Sequence, residues 1–256
     1  DLNKNIELRK ISRSPPSQYT PISLFIVGPS RSGKTTLERI MSLMPGVKRG
    51  YENPIVENAV RKTFQFASLP TRMLPNELPS ELHGAFQHHY ISELTTRARN
   101  SSIFTNTSPI RLEDSVLLSH IIPNSRFIFV KRDIFDQALR IYFRNYKSGN
   151  YYSYSISSIF EYLKWSESII DTAHNRIGGI SRILNYEDIA RDSKTALRIA
   201  ADLCGCENVT HLEKSIGDMD FVGDDRECSQ PYRSWMEEVS PRAIADHSGS
   251  YPAALK

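Results

Sequence analysis

Apolar residues along this chain form several short, nearly continuous runs, and such runs are typical of strands buried on both faces of a parallel sheet. The strongest are ISLFIV at 22–27 and SRFIFVKRD at 125–133, the second of which ends in a charged turn. A further strand is predicted over ISRILNYED at 180–188, and a shorter one over SIFTNTSP at 102–109. The strand-like segments are therefore spread over most of the chain.

Between these runs, apolar residues recur every three or four positions, which predicts helices. The stretch 55–98 has the same period but is half-polar, and Pro70, Pro75 and Pro79 interrupt it. Strands that alternate with helices predict a three-layer α/β protein, with a central parallel sheet and helices on both faces. The other predicted helices cover 35–44, 134–146, 157–174 and 194–204, and the chain from about 206 onward is predicted to be irregular.

Domain boundaries are placed where the composition changes. Residues 1–20 are polar, contain the sequence SPPS and are predicted to be an N-terminal arm or linker. A length of 256 residues suits one large domain or two small ones, and we predict that residues 21–242 form one domain. Residues 243–256 are predicted to be a C-terminal tail.

The stretch GPSRSGKTT at 28–36 stands directly between the first strand and the first helix. It fits the phosphate-binding pattern G-x-x-x-x-G-K-[ST], in which glycines let backbone N–H groups converge on an anion. The helix that follows directs the positive end of its dipole at the same place. This loop makes the predicted three-layer α/β fold one of the P-loop type. We therefore predict an anion site formed by Ser30, Arg31, Ser32, Gly33, Lys34, Thr35 and Thr36.

A second cationic stretch, Lys131-Arg132-Asp133, follows the strand at 125–130. Ligands of parallel sheets bind beyond the carboxyl ends of the strands, so this stretch and the loop are expected to share one site. A P-loop ATP-dependent kinase or phosphotransferase would need an acidic Mg²⁺ ligand here, and Asp133 leaves that alternative open. With two cations beside it, a second phosphate is the favoured interpretation, and no metal ligand is predicted.

Four blocks of the chain together resemble sulfotransferases that use 3′-phosphoadenosine 5′-phosphosulfate (PAPS), in the branch of tyrosylprotein sulfotransferases and bacterial sulfotransferase domains. The resemblance covers most of residues 21–240 and predicts a PAPS-dependent sulfotransferase that releases adenosine 3′,5′-bisphosphate (PAP). The blocks are FIVGPSRSGKTTLERIM, SRFIFVKRDIFDQALRIYF, RILNYEDIARD and QPYRSW.

The resemblance also implies roles for particular residues. Its first block places Arg31, Ser32, Gly33 and Thr35 on the 5′-phosphosulfate. The later blocks place Arg132 on the 3′-phosphate, Tyr186 against the nucleotide, and Arg233 and Ser234 on the donor.

Sulfuryl transfer needs a base that takes the proton of the acceptor hydroxyl. The related branch carries a glutamate in a turn after the loop's helix, and here Glu52 stands 21 residues after Arg31 in the sequence GYEN. Glu52 is therefore the predicted base. Glu57 is the reserve candidate, and His83, His88 and His89 are interpreted as residues of a helix surface.

Three positions depart from the family's pattern. Lys34 replaces a threonine in the loop, Thr107 replaces a lysine that supports the leaving group, and Arg140 replaces a serine that binds the 3′-phosphate. Our hypothesis is that Lys34 supplies the cation missing at position 107, and thereby stabilises charge on the departing phosphate. Lys34 and Arg31 are thus added to Glu52 as catalytic candidates, and Arg140 to the donor site.

Composition narrows the function classes only slightly. The net charge of +3 and the pI of about 8.7 suit a small anionic ligand and do not predict nucleic-acid binding. No apolar run approaches the ~20 residues of a membrane span. The three cysteines, an odd number, imply no disulfide framework, and a cytoplasmic location is expected.

The acceptor is expected to carry a hydroxyl group, with a carbohydrate as the first interpretation and a tyrosine or other phenol as the second. Both interpretations rest only on the range of acceptors that the resembled family uses. Residues 55–98 and the aromatic stretch 150–162 are predicted to shape the acceptor pocket, because aromatic faces stack on sugars and phenols. The sequence predicts no particular oligomeric state.

Overall fold

A five-stranded, fully parallel sheet forms the centre of the molecule, in the order β2-β3-β1-β4-β5. The computed structural model describes residues 20–70, 75, 78–108, 111–147, 149–206, 209, 212, 216 and 230–240. The strands are β1 Ile22–Val27, β2 Val47–Lys48, β3 Ile103–Asn106, β4 Ser125–Lys131 and β5 Ser181–Asn185.

Helices occupy most of the connections between these strands. Because every strand runs in the same direction, each connection has to cross back over a face of the sheet. In chain order the helices are α1 Lys34–Met41, α2 Ile55–Phe66, α3 His83–Ala98, α4 Ser115–Ile121, α5 Ile134–Tyr142, α6 Ile156–Ile177, α7 Tyr186–Arg191, α8 Ser193–Leu203 and α9 Arg233–Val239.

Two hydrophobic layers lie on opposite faces of the sheet. Side chains alternate along a strand, so Phe25 of β1 joins one layer with residues of α2, α3, α4 and α6. Its neighbours Leu24 and Ile26 join the other layer with residues of α1 and α8. Phe25 also stacks on Phe127 of β4, with ring centroids 5.1 Å apart. The predicted α/β fold with helices on both faces is confirmed.

The observed elements differ from the predicted ones mainly at their ends. The strand predicted over 180–188 ends at Asn185, because Tyr186 begins α7. The helix predicted over 134–146 ends at Tyr142. The strand β2 and the helix α4 were not predicted, and β2 has only two residues with which to form a pattern.

The prediction of an irregular chain after 206 was wrong for residues 233–239, which form α9. Met236 is the one residue of α9 that is buried, so the helix leaves almost no apolar period in the sequence. The predicted arm and the predicted tail fall outside the described residues, apart from Thr20. Within the described ranges, no helix has the length and hydropathy needed to cross a bilayer.

Candidate active site

The loop between β1 and α1 is shaped by two glycines that have no room for a side chain. A Cβ on Gly28 would lie 2.5 Å from the carbonyl oxygen of Val130, and one on Gly33 would lie 2.2 Å from the Tyr186 ring. Gly33 also has a φ of 101°, and Arg31 a φ of 64°, both in the left-handed region. Such backbone costs energy for a non-glycine residue, and it is concentrated at functional sites.

Polar groups of the loop fit the anion site that the sequence predicts. The Ser32 hydroxyl is buried, and it lacks a hydrogen-bond partner within the described part of the chain. A buried hydroxyl without a partner is costly, so this atom fits a ligand oxygen. Arg31 and Thr35 are exposed and Thr36 is half-buried, and both threonines lie in the first turn of α1.

Lys34 is buried at the start of α1 and turns back into the loop. Its ammonium group donates to the carbonyl oxygens of Gly28, at 2.8 Å, and Pro29, at 2.7 Å. Burial lowers the pKa of Lys34 to about 8, and the nearby negative charge of Glu52 offsets part of that decrease. Lys34 is therefore mostly charged at pH 7 and loses its charge as the pH rises through about 8.

Arg132, at the end of β4, connects the second cationic site to the loop. Its Nη1 donates to the carbonyl oxygen of Arg31 at 3.2 Å, and its guanidinium lies over the Tyr186 ring, 4.0 Å from the centroid. Tyr186 in turn is the residue that fills the space beside Gly33. Continuous contacts thus join Arg132, Tyr186 and the loop at the carboxyl ends of β1 and β4.

Asp136 on α5 neutralises part of this charge. It forms ion pairs with Arg132 and with Arg140, one turn away on either side. Its Oδ2 accepts from Arg132 Nε at 2.6 Å and from Arg140 Nε at 3.1 Å. Asp136 and Arg132 are buried and Arg140 is half-buried, so the structure places Arg140 beside Arg132 through their shared partner Asp136.

The described contacts of Asp133 support the start of α5. Its side chain caps α5 by accepting from Asp136 N at 2.9 Å, and its own N–H donates to Glu187 Oε1 at 2.9 Å. Burial raises the pKa of Glu187. Arg233 of α9 lies 3.5 Å from Asp133 and over the Phe135 ring, at 4.7 Å. These contacts bring Arg233 to the edge that carries Arg132.

Ser234, next to Arg233 in α9, is exposed, and the contacts of the described residues include none that ties it to the loop. Its predicted place on the donor therefore stays a prediction. No group of three or more His, Cys, Asp and Glu residues that could hold a metal ion occurs within the described ranges.

Glu52 lies in a turn between β2 and α2 that hydrogen bonds connect to the end of β3. Its own side chain is exposed, yet the backbone on either side of it is fixed. Thr107 N donates to Tyr51 O at 3.0 Å, and Asn106 Nδ2 donates to Asn53 O at 3.3 Å. Because Glu52 raises the pKa of Lys34, the two predicted catalytic groups lie within electrostatic reach of each other.

Among the described contacts, none joins the other base candidates to the loop. Glu57, on α2, pairs with the buried Arg111 at 3.1 Å. The three histidines belong to α3, where none is buried. Thr107, at the position where the resemblance implies a lysine, is a buried and uncharged residue.

Two further residues of the site carry no signal in the sequence. Gln137 Nε2 donates to Ser30 O at 2.7 Å, and Tyr146 OH lies 2.7 Å from Ser30 Oγ. Both reach the loop from more than a hundred positions away in the chain, so neither local period nor a motif identifies them. Tyr146 ties the loop to the segment that leads into the aromatic stretch 150–162.

The loop and Arg132 lie at the carboxyl ends of β1 and β4, which is the edge at which parallel α/β sheets bind their ligands. The profile of the sulfotransferase family matches residues 21–210. The chain therefore belongs to the sulfotransferase family, as its sequence blocks predict. No such match supports the kinase alternative.

The sequence similarity to one curated relative covers less than half of this chain. The chain is 27% identical to protein-tyrosine sulfotransferase 2 of Gallus gallus over 114 residues, 43% of this chain and 31% of the relative. It thus spans about a third of that relative's length.

Solved structures share the fold at low sequence identity. Sulfotransferase STF9 from Mycobacterium avium has a TM-score of 0.54 at 11% identity, over 96% of this chain and 79% of that one. The sulfotransferase domain from the curacin biosynthetic pathway has a TM-score of 0.50 at 14% identity, over 92% and 93% of the two chains.

Proposed function

We propose that this chain transfers the sulfuryl group of PAPS to an acceptor hydroxyl. The observation that carries the proposal is the hydrogen bond between Arg132 Nη1 and the Arg31 carbonyl oxygen. It joins a buried cation at the end of β4 to the anion loop at the end of β1, on one edge of the sheet. PAPS carries anionic groups at two separated points, and two joined cationic sites suit such a donor.

The donor site would use both parts of that edge. Ser32 Oγ, the loop's N–H groups and Arg31 would bind the 5′-phosphosulfate, and Arg132 with Arg140 would bind the 3′-phosphate. Asp136 keeps those two guanidinium groups side by side. Tyr186, Arg233, Ser234, Thr35 and Thr36 are proposed to complete the site.

The reaction is an in-line displacement at sulfur. The acceptor oxygen forms a bond to sulfur while the bond from sulfur to the phosphate oxygen breaks, and that electron pair leaves with PAP. Glu52 takes the acceptor's proton, and the cations of the loop stabilise the charge that grows on the departing phosphate. The proposed chemistry requires no metal ion.

Lys34 is proposed as the cation that stabilises the leaving group. Replacement Lys34→Met keeps the buried aliphatic volume and removes the charge. Turnover is expected to fall about 100-fold, because the charge acts on the departing phosphate, while the affinity for PAPS falls only a few-fold. Steady-state kinetics and calorimetric titration measure the two quantities separately.

Lys48 provides the matched control for this prediction. Its ammonium group also donates to a backbone carbonyl oxygen, that of Arg97, but away from the loop. Lys48→Met should leave turnover unchanged. Equal losses of turnover and donor affinity in Lys34→Met would mean that Lys34 only supports the shape of the loop.

The acceptor is proposed to be a tyrosine phenol, with a carbohydrate hydroxyl as the second candidate. The partial likeness to protein-tyrosine sulfotransferase 2 favours the phenol. Both would contact the aromatic segment that Tyr146 links to the loop, where Tyr152 and Tyr162 stack 3.8 Å apart. Turnover with an oligosaccharide and with a tyrosine-containing peptide, each with PAPS, distinguishes the two.

Calorimetric titration with PAP, beside ATP with Mg²⁺, tests the proposal without knowledge of the acceptor. We expect tight PAP binding that EDTA leaves unchanged, and weak ATP binding. A preference for ATP with Mg²⁺ would instead identify the loop as that of a phosphotransferase, and the proposed function would be wrong.

A further inference from the structure

Glu38 is a carboxylate with no access to solvent, on the face of α1 that packs against β3 and the turn after β2. An ionised carboxylate at such a position is costly unless several donors satisfy it. Its donors therefore indicate what the residue is for.

All the described donors to Glu38 lie on the turn that carries Glu52 or on the strand behind that turn. Oε1 accepts from Tyr51 N at 2.9 Å and from Thr105 Oγ1 at 2.5 Å. Oε2 accepts from Arg49 Nε at 3.3 Å and from Arg49 Nη2 at 3.2 Å. Glu38 thus binds the backbone of the residue immediately before Glu52 and a side chain two residues earlier.

The turn is fixed by β3 as well. Gly50 N donates to Thr105 Oγ1 at 3.0 Å, and a Cβ on Gly50 would lie 2.0 Å from Thr105 O. Tyr51 has a φ of 56°, a left-handed conformation that a tyrosine adopts only where its surroundings impose it. The Glu38–Tyr51 hydrogen bond is one of the contacts that impose it.

We infer that Glu38 is a positioning residue, which holds the turn at 49–52 so that Glu52 faces Lys34 and the loop. The inference rests on the proposed function only in taking Glu52 as the base. Glu38 also stands on the helix that begins in the anion loop, and its carboxylate therefore connects that helix to the turn that carries Glu52.

Replacement Glu38→Gln, alone and combined with Glu52→Gln, tests this inference. With the better of the two acceptor probes, we expect Glu38→Gln to lower turnover about 10-fold and to leave PAP affinity within about two-fold, because only the base is displaced. In the Glu52→Gln background, Glu38→Gln should lower turnover no further.

A second readout needs no acceptor. Glu52 raises the pKa of Lys34, so displacing Glu52 should lower that pKa. Titration of ε-¹³C-lysine-labelled protein by NMR, with Lys34→Met to assign the signal, should show the same decrease in Glu38→Gln as in Glu52→Gln, with no further decrease in the double variant. A Lys34 pKa that Glu38→Gln leaves unchanged would overturn the inference, as would losses of turnover that multiply in the double variant.

Three further variants distinguish the loss of the Glu38 contacts from misfolding and from unspecific effects of a substitution. Thr105→Val removes the hydroxyl that joins Glu38 to Gly50 and should act in the same direction, whereas Thr105→Ser should behave like the unsubstituted protein. Asp192→Asn is the matched control, because Asp192 also accepts from a backbone N–H and a threonine hydroxyl, at the start of α8. It should change neither turnover nor the Lys34 pKa.

The inference and the base assignment can fail separately. If Glu52→Gln retains turnover while Glu38→Gln still lowers the Lys34 pKa, Glu38 positions the turn and Glu52 is not the base. If Glu52→Gln abolishes turnover while Glu38→Gln changes nothing, Glu52 is the base and Glu38 does not position it.

Discussion

Glu52→Gln is expected to lower turnover about 1,000-fold while PAPS and PAP bind as before. General-base catalysis contributes typically 10²- to 10⁴-fold, and glutamine cannot accept the acceptor's proton at neutral pH. The side chain of Glu52 is exposed, so its replacement should not disturb packing. Single-turnover kinetics with preloaded PAPS measure the chemical step without product release.

Glu57→Gln is the control for this prediction. Glu57 was the reserve base in the sequence, and its carboxylate pairs with the buried Arg111 at 3.1 Å. Its replacement should change turnover less than about three-fold, apart from any effect of the lost ion pair on stability. A large loss of turnover in Glu57→Gln together with a small loss in Glu52→Gln would mean that Glu57, and not Glu52, is the base.

Arg132→Ala should weaken PAP binding about 1,000-fold. Truncating one partner of a buried charge pair costs about 2–5 kcal/mol, and the upper part of that range corresponds to this factor. Here the buried Asp136 would also keep only Arg140 as a partner among the ion pairs described. Calorimetric titration with PAP and with adenosine 5′-monophosphate measures the loss of affinity and shows whether that loss depends on the 3′-phosphate.

The comparison of ligands makes this prediction specific. If Arg132 binds the 3′-phosphate, its loss should reduce the difference in affinity between PAP and adenosine 5′-monophosphate to within a few-fold. An equal loss for both ligands would mean that Arg132 acts through the loop, by way of its bond to the Arg31 carbonyl oxygen. Lys131→Ala is the control, because Lys131 pairs with Asp171 on α6.

The sequence predicted most strands of the sheet, and the position of the glycine loop between β1 and α1, for a physical reason. Strands buried on both faces need continuous apolar runs, and a loop that approaches an anion needs glycine, so both leave local signals. The elements β2 and α9 left no such local signal in the sequence. β2 has two half-buried residues, and α9 buries only Met236.

The parts of the site that sequence could not predict depend on contacts between distant residues. Glu38 appears in the sequence as one charged residue of an amphipathic helix, and its burial depends on Arg49 and Thr105, which come from other elements. Lys34 was predicted as a loop cation, but its orientation toward the Gly28 and Pro29 carbonyl oxygens follows from the closed shape of the loop. Neither property has a local pattern.

The stack of Gly33, Tyr186 and Arg132 has a consequence for any attempt to re-engineer this chain. A side chain at position 33 would push the tyrosine ring, and the ring would push the guanidinium that lies over it. The ligand preference of the loop therefore cannot be altered independently of the residues at the start of α7 and the end of β4. Libraries aimed at a different donor should randomise these three positions together, because single changes would sample mostly disrupted sites.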